Sequence, residues 1–138
     1  MNVRIFLLTS AFVITFISSA RAEKPTLPTG DWTYSTDPAK ACRRPQLTIE
    51  NDRLIQRIDQ EGIRGEARCK MIKIKKQPKG ILFIDTKCDW DKHVPQGMRE
   101  GPDNENDDSF SLKALNQKEI LFNNMNYSLC PAKPEGAR

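Results

Sequence analysis

At 138 residues, 38% of them hydrophobic and 29% charged, the chain is long enough for one domain with a modest core and too short for two. Its net charge of +4 and single histidine, His93, give no ground for a nucleic-acid partner or a histidine-rich metal site.

Met1 to Ala22 reads as an export signal: Arg4 opens it, Ile5 to Ile17 is an almost unbroken apolar run, and Ala20-Arg21-Ala22 is a small-x-small cleavage site. The apolar run is shorter than the roughly 20 residues a membrane-spanning helix needs, so a cleaved signal is expected and no membrane span. The compact segment looks bacterial, which places residues 23–138, a single disulfide-bonded domain, in the periplasm or outside the cell. Removing Arg4 and Arg21 with no acid lowers the net charge from +4 to +2.

Glu23 to Thr29 holds Pro25, Thr26, Leu27 and Pro28 and is expected as an extended leader. Gly30 to Ser35 gives the first strand, with Trp32 and Tyr34 on one face. After a loop with Pro38 and Cys42, Leu47 to Ile49 and Arg53 to Ile58 form a hairpin about Asn51-Asp52, although Leu54, Ile55 and Ile58 also fit a helix. Arg68 to Lys76 and Ile81 to Cys88 are β-rich runs joined by Gln77-Pro78-Lys79-Gly80. If Lys76 faces Ile81, then Cys69 faces Cys88, within disulfide reach.

An even count of four cysteines in an exported chain points to two disulfides. Registry favours Cys69 with Cys88, which leaves Cys42 with Cys130; pairing of Cys42 with Cys69 or Cys88 stays open. The cysteine spacings of 27, 19 and 42 do not suit zinc.

From Asp89 to Asp108 the apolar pattern stops, and a long polar, acidic loop is expected. Asp103, Glu105 and Asp107 fall at calcium-loop spacing, but Asp108 stands where the turn needs Gly and Ala114 where a bidentate Glu is needed. Phe110 to Ala114, Ile120 to Phe122 and Tyr127 to Cys130 resume strand patterns, and residues 131–138 form a loose polar tail.

The reading is all-β: a small antiparallel up-and-down barrel of about seven or eight short strands, with a β-sandwich as the alternative. Trp32, Ile72, Ile74, Phe83, Phe110 and Phe122 are expected to fill it. His93 lies in a polar loop without a nucleophile motif, and the cysteines are committed to disulfides. No catalytic residue, metal or cofactor is expected.

Lys70, Lys73, Lys75, Lys76 and Lys79 crowd one hairpin. They suit an anionic surface polymer, or simply protect a sheet edge from pairing. Aromatics do not interleave with these cations, so nucleic acid is not expected.

Gly30-Asp31-Trp32 resembles the G-x-W start of lipocalin-like small barrels. With Thr33 and the following Cys42 it is most similar to the small periplasmic inhibitors of secreted metalloproteases, over the opening stretch of the exported part only. The resemblance implies a barrel whose extended leader, here residues 23–29, enters a protease cleft. Those inhibitors carry one disulfide, whereas this chain has four cysteines and an added acidic loop. The leading expectation is therefore an exported non-enzymatic binding or inhibitory protein, a protease inhibitor included. The alternatives are a carrier of a small apolar ligand, or an envelope-associated protein that binds anionic polymers through Lys73, Lys75, Lys76 and Lys79.

Overall fold

The computed structural model describes residues 25–99 and 107–132. The expected signal, most of the acidic run and the tail from 133 lie outside the described residues.

Alternation of inward apolar and outward polar side chains builds the strands. They are β1 (Gly30–Thr33), β2 (Leu47–Ile49), β3 (Arg53–Gln60), β4 (Ile63–Lys76), β5 (Ile81–Trp90), β6 (Asp107–Ala114), β7 (Glu119–Phe122) and β8 (Met125–Leu129), with one α-helical turn, α1 (Pro38–Ala41), and short 3-10 turns at Pro78–Gly80 and Gln96–Met98. Each strand pairs antiparallel with the next. Register pairs Trp32 with Leu129 and Thr33 with Ser128, joining β8 to β1 and closing the barrel. Strand pairing from 53 to 60 settles the helix alternative against the helix.

Turn chemistry sets the hairpins. Gln60 faces Ile63 across Glu61-Gly62, and Phe122 faces Met125 across Asn123-Asn124; all four turn residues have positive φ, as two-residue hairpins require. The core comprises Trp32, Leu47, Ile49, Leu54, Ile84, Phe110, Leu112, Ile120 and Phe122, each almost fully sealed. Burying such a side chain stabilises by roughly 1.5–3 kcal/mol. Phe110 and Phe122 stack at 5.2 Å between ring centroids.

The β4–β5 hairpin corrects the expected registry. Gln77 N donates to Ile81 O, so the loop is Pro78-Lys79-Gly80, and Lys76 faces Leu82 rather than Ile81. A β-bulge between Met71 and Lys73 absorbs the one-residue offset. Beyond it Cys69 faces Cys88 after all, and the two are bonded inside the barrel. Cys42 and Cys130 form the second disulfide, with Cα atoms 5.5 Å apart.

The bulge also turns Ile72 outward, to 63% exposure, and Phe83 stands on the outer face at 42%. Neither fills the interior as expected, whereas Trp32, Phe110 and Phe122 do and Ile74 packs on the core. In β1, Trp32 is sealed in the core, Thr33 is buried with its hydroxyl donating to Gln46 Oε1, and Tyr34 lies past the strand end, exposed. The polar loop is shorter than expected: β5 runs on through Asp89 to a buried Trp90, and β6 starts at Asp107.

Candidate functional site

The meander sends the β2–β3, β4–β5 and β6–β7 turns to one end of the barrel and the β1–β2, β3–β4, β5–β6 and β7–β8 connections to the other. The chain enters β1 at the first end. There Leu27 is half-buried against the core, with Thr29 N donating to Leu27 O at 3.0 Å. Pro25, Thr26 and Pro28 border a groove of about 370 Å³ whose far wall includes Lys76, Gln77 and Gly80. Pro25 also meets Lys73 across a smaller hollow. The two groups of residues singled out from sequence, Pro25 to Pro28 and the lysine hairpin, are thus neighbours. Lys75 pairs with Asp85 at 2.7 Å, and Lys79 sits exposed in the turn with φ 62°. A hydrogen bond from Lys75, then one from Ser109, holds the Asp85 carboxyl below its ordinary value.

The opposite end is a cup of about 610 Å³. Gln56, Ile58, Trp90 and Tyr127 form its inner surface, with Tyr34 and Met125 at the side. Tyr34 meets Tyr127 edge-on at 5.5 Å. Gln56 is the exception among these inward positions. It lies on β3 between Leu54 and Ile58, is buried, and its Nε2 has no hydrogen-bond partner. Leaving a buried amide donor unmatched costs about 1–3 kcal/mol.

The rim carries Lys40, Arg43, Arg44 and Arg57 against Asp37 and Asp59. Asp37 caps α1, accepting from Lys40 N at 3.2 Å, and Pro38 starts the turn. Cys42, bonded to Cys130, then anchors the segment that bears Arg43 and Arg44. Arg44 pairs with Asp59 at 3.5 Å, and Arg57 with Glu66 at 3.4 Å, while Arg57 also donates to Thr48 Oγ1 at 2.8 Å. Lys40 and Arg43 form no ion pair among the described residues.

Part of the β5–β6 connection folds onto the barrel beside the cup. Val94 is buried against Gly65, where a Cβ would collide with its Cγ2. Asp91 Oδ2 accepts from Glu66 N at 2.9 Å, and Arg99 donates twice to Val94 O. His93 is exposed, with a ring nitrogen against Arg64 O. Among the described residues no cluster of three or more His, Cys, Asp or Glu is placed to hold a metal ion, and no helix is long and apolar enough to cross a membrane.

Sequence reasoning missed the cup. One signal was available: Gln56 is a neutral polar residue at an inward position of an otherwise apolar alternation. Comparison with family models, with curated proteins and with solved structures finds no match. The fold and the cup therefore define the class by themselves: a closed eight-stranded up-and-down barrel, packed at the leader end and hollow at the other.

Proposed function

We propose that this chain is an exported, non-enzymatic binding protein that takes a small amphipathic molecule with an acidic group into the cup. The observation that carries the reading is Gln56, a buried amide donor without an acceptor among the residues that line a small-molecule-sized hollow. Small-molecule sites are typically about 300–1,000 Å³; the cup has that size, with charged and polar side chains making up much of its lining. Trp90, Tyr127 and Ile58 offer the apolar surface and Lys40 and Arg43 cations for a carboxylate, while the Gln56 amide, sealed in the cup wall, becomes a donor to the ligand once its side chain turns outward. Export rests on residues 1–22, and two disulfides suit an oxidising compartment. In the inhibitory reading, the leader of residues 23–29 enters a protease cleft, and Leu27 would first have to leave the core.

Tryptophan fluorescence tests this, because only two tryptophans are present, Trp32 sealed in the core and Trp90 at the cup. Decanoate should change the emission saturably and decanol much more weakly. Arg43→Glu should weaken decanoate binding and leave decanol unchanged. A decanoate response that survives Trp90→Phe, or no saturable response to either probe, would overturn the proposal.

A further inference from the structure

Register places Arg53 opposite Lys70, and Lys70 opposite Lys87, so three cations stand side by side across β3, β4 and β5. All three are exposed. Like charges directly opposite one another in a sheet are destabilising. Arg53 has Glu50 as its partner, whereas Lys70 forms no ion pair among the described residues. Lys87 has Asp107 as its backbone neighbour on β6.

Protection of a sheet edge does not account for this row. Pairing between β3 and β4 begins at Arg53 and Lys70, so Lys73, Lys75 and Lys76 lie on a stretch of β4 that reaches past β3, where edge lysines block unwanted pairing. Lys70 and Lys87, however, are paired on both sides. Next to them the bulge turns Ile72 out among Lys70 and Lys73, and Phe83 is exposed opposite Lys75.

We infer that this outer wall docks on an anionic lipid surface, with Arg53, Lys70 and Lys87 against the headgroup phosphates and Ile72 at the acyl boundary. Cations near a negatively charged leaflet are attracted to it, and an apolar side chain among them gains only where an apolar phase is present. The bulge-exposed Ile72 therefore favours a lipid surface over a soluble polyanion. This surface is separate from the cup, and its test does not depend on the cup's ligand.

The test is flotation of the full chain with phosphatidylglycerol-containing vesicles. Pure phosphatidylcholine vesicles measure whatever the apolar segment 5 to 17 contributes. Binding should require the anionic lipid and fall as salt rises. Lys70→Glu with Lys87→Glu should weaken it by about tenfold or more. A melting curve in parallel should show the variant still folded, since the double reversal leaves positions 70 and 87 a like-charged pair but gives Arg53 an acidic neighbour. Ile72→Ser should weaken vesicle binding and leave retention on dextran sulfate unchanged. Equal binding to neutral vesicles, or none lost on double charge reversal, would overturn the inference. Vesicle binding untouched by Ile72→Ser, with dextran sulfate competing fully, would assign the row to a polyanion and overturn the lipid docking.

Discussion

Gln56 and Gly65 show how single residues shape the cup. Replacing Gln56 by Leu removes an unmatched buried donor at similar size, so the variant should gain about 1 kcal/mol in urea denaturation while losing affinity for decanoate. At Gly65 a methyl group has no room beside Val94, and Gly65→Ala should destabilise by roughly 1–3 kcal/mol. Adding Val94→Ala should recover part of that loss, which a double-mutant cycle would read. Asp85 offers a pH signature on the outer wall. Because its carboxyl is held below its ordinary value, its contribution to stability is present above the usual carboxylate range and is lost as pH falls through the lowered value. Asp85→Asn should therefore flatten the acid side of a stability-against-pH curve, and Lys75→Met should move the Asp85 titration seen by NMR upward. At this scale the sequence was only partly legible. Gln56 breaks a visible alternation, but Val94 and Met98 are isolated apolar residues in a polar stretch, and only packing, Val94 against Gly65 and Met98 on the core, reveals them.

Among the elements, the β4–β5 hairpin best separates what was readable from what was not. Pro78 and Gly80 mark a turn, and the β-rich runs on either side mark two strands. Whether the loop holds four residues or three is a matter of one hydrogen bond, Gln77 N to Ile81 O. The bulge at Ile72 leaves no mark in an Ile-Lys alternation that reads equally well without it, so the expected cysteine pairing was right and the registry behind it was wrong by one at the turn. The Cys69–Cys88 bond closes a sequence separation of 19 residues, worth about 3 kcal/mol in the chain-entropy account. Replacing both with Ala should lower the melting temperature while the far-ultraviolet circular dichroism of the barrel remains.

For the whole molecule the seam between β1 and β8 is the critical junction, because its register holds two residue pairs where β3–β4 holds eight. Beside that seam, Cys130 N donates to Asp31 O at 2.8 Å and its sulfur is bonded to Cys42 across a sequence separation of 88. A loop of that length corresponds to about 4.5 kcal/mol in the same account, more than the hairpin disulfide. Cys42→Ala with Cys130→Ala should thus cost more stability than the Cys69/Cys88 pair in parallel melts. It should also weaken ligand binding, since it frees the segment carrying Arg43 and Arg44. Barrel closure was readable in outline, from short alternating strands joined by tight turns. The cup was not, because Lys40, Arg43, Gln56, Trp90 and Tyr127 come from four separate stretches that only closure brings together.

NMR titration with decanoate tests the central claim most directly, by following the Gln56 side-chain amide and the two tryptophan indole resonances. Binding in the cup predicts saturable shifts at Gln56 Nε2 and Trp90 Nε1, with the Trp32 indole unmoved. Shifts confined to Trp32 and the leader end, or no response at Gln56, would contradict it.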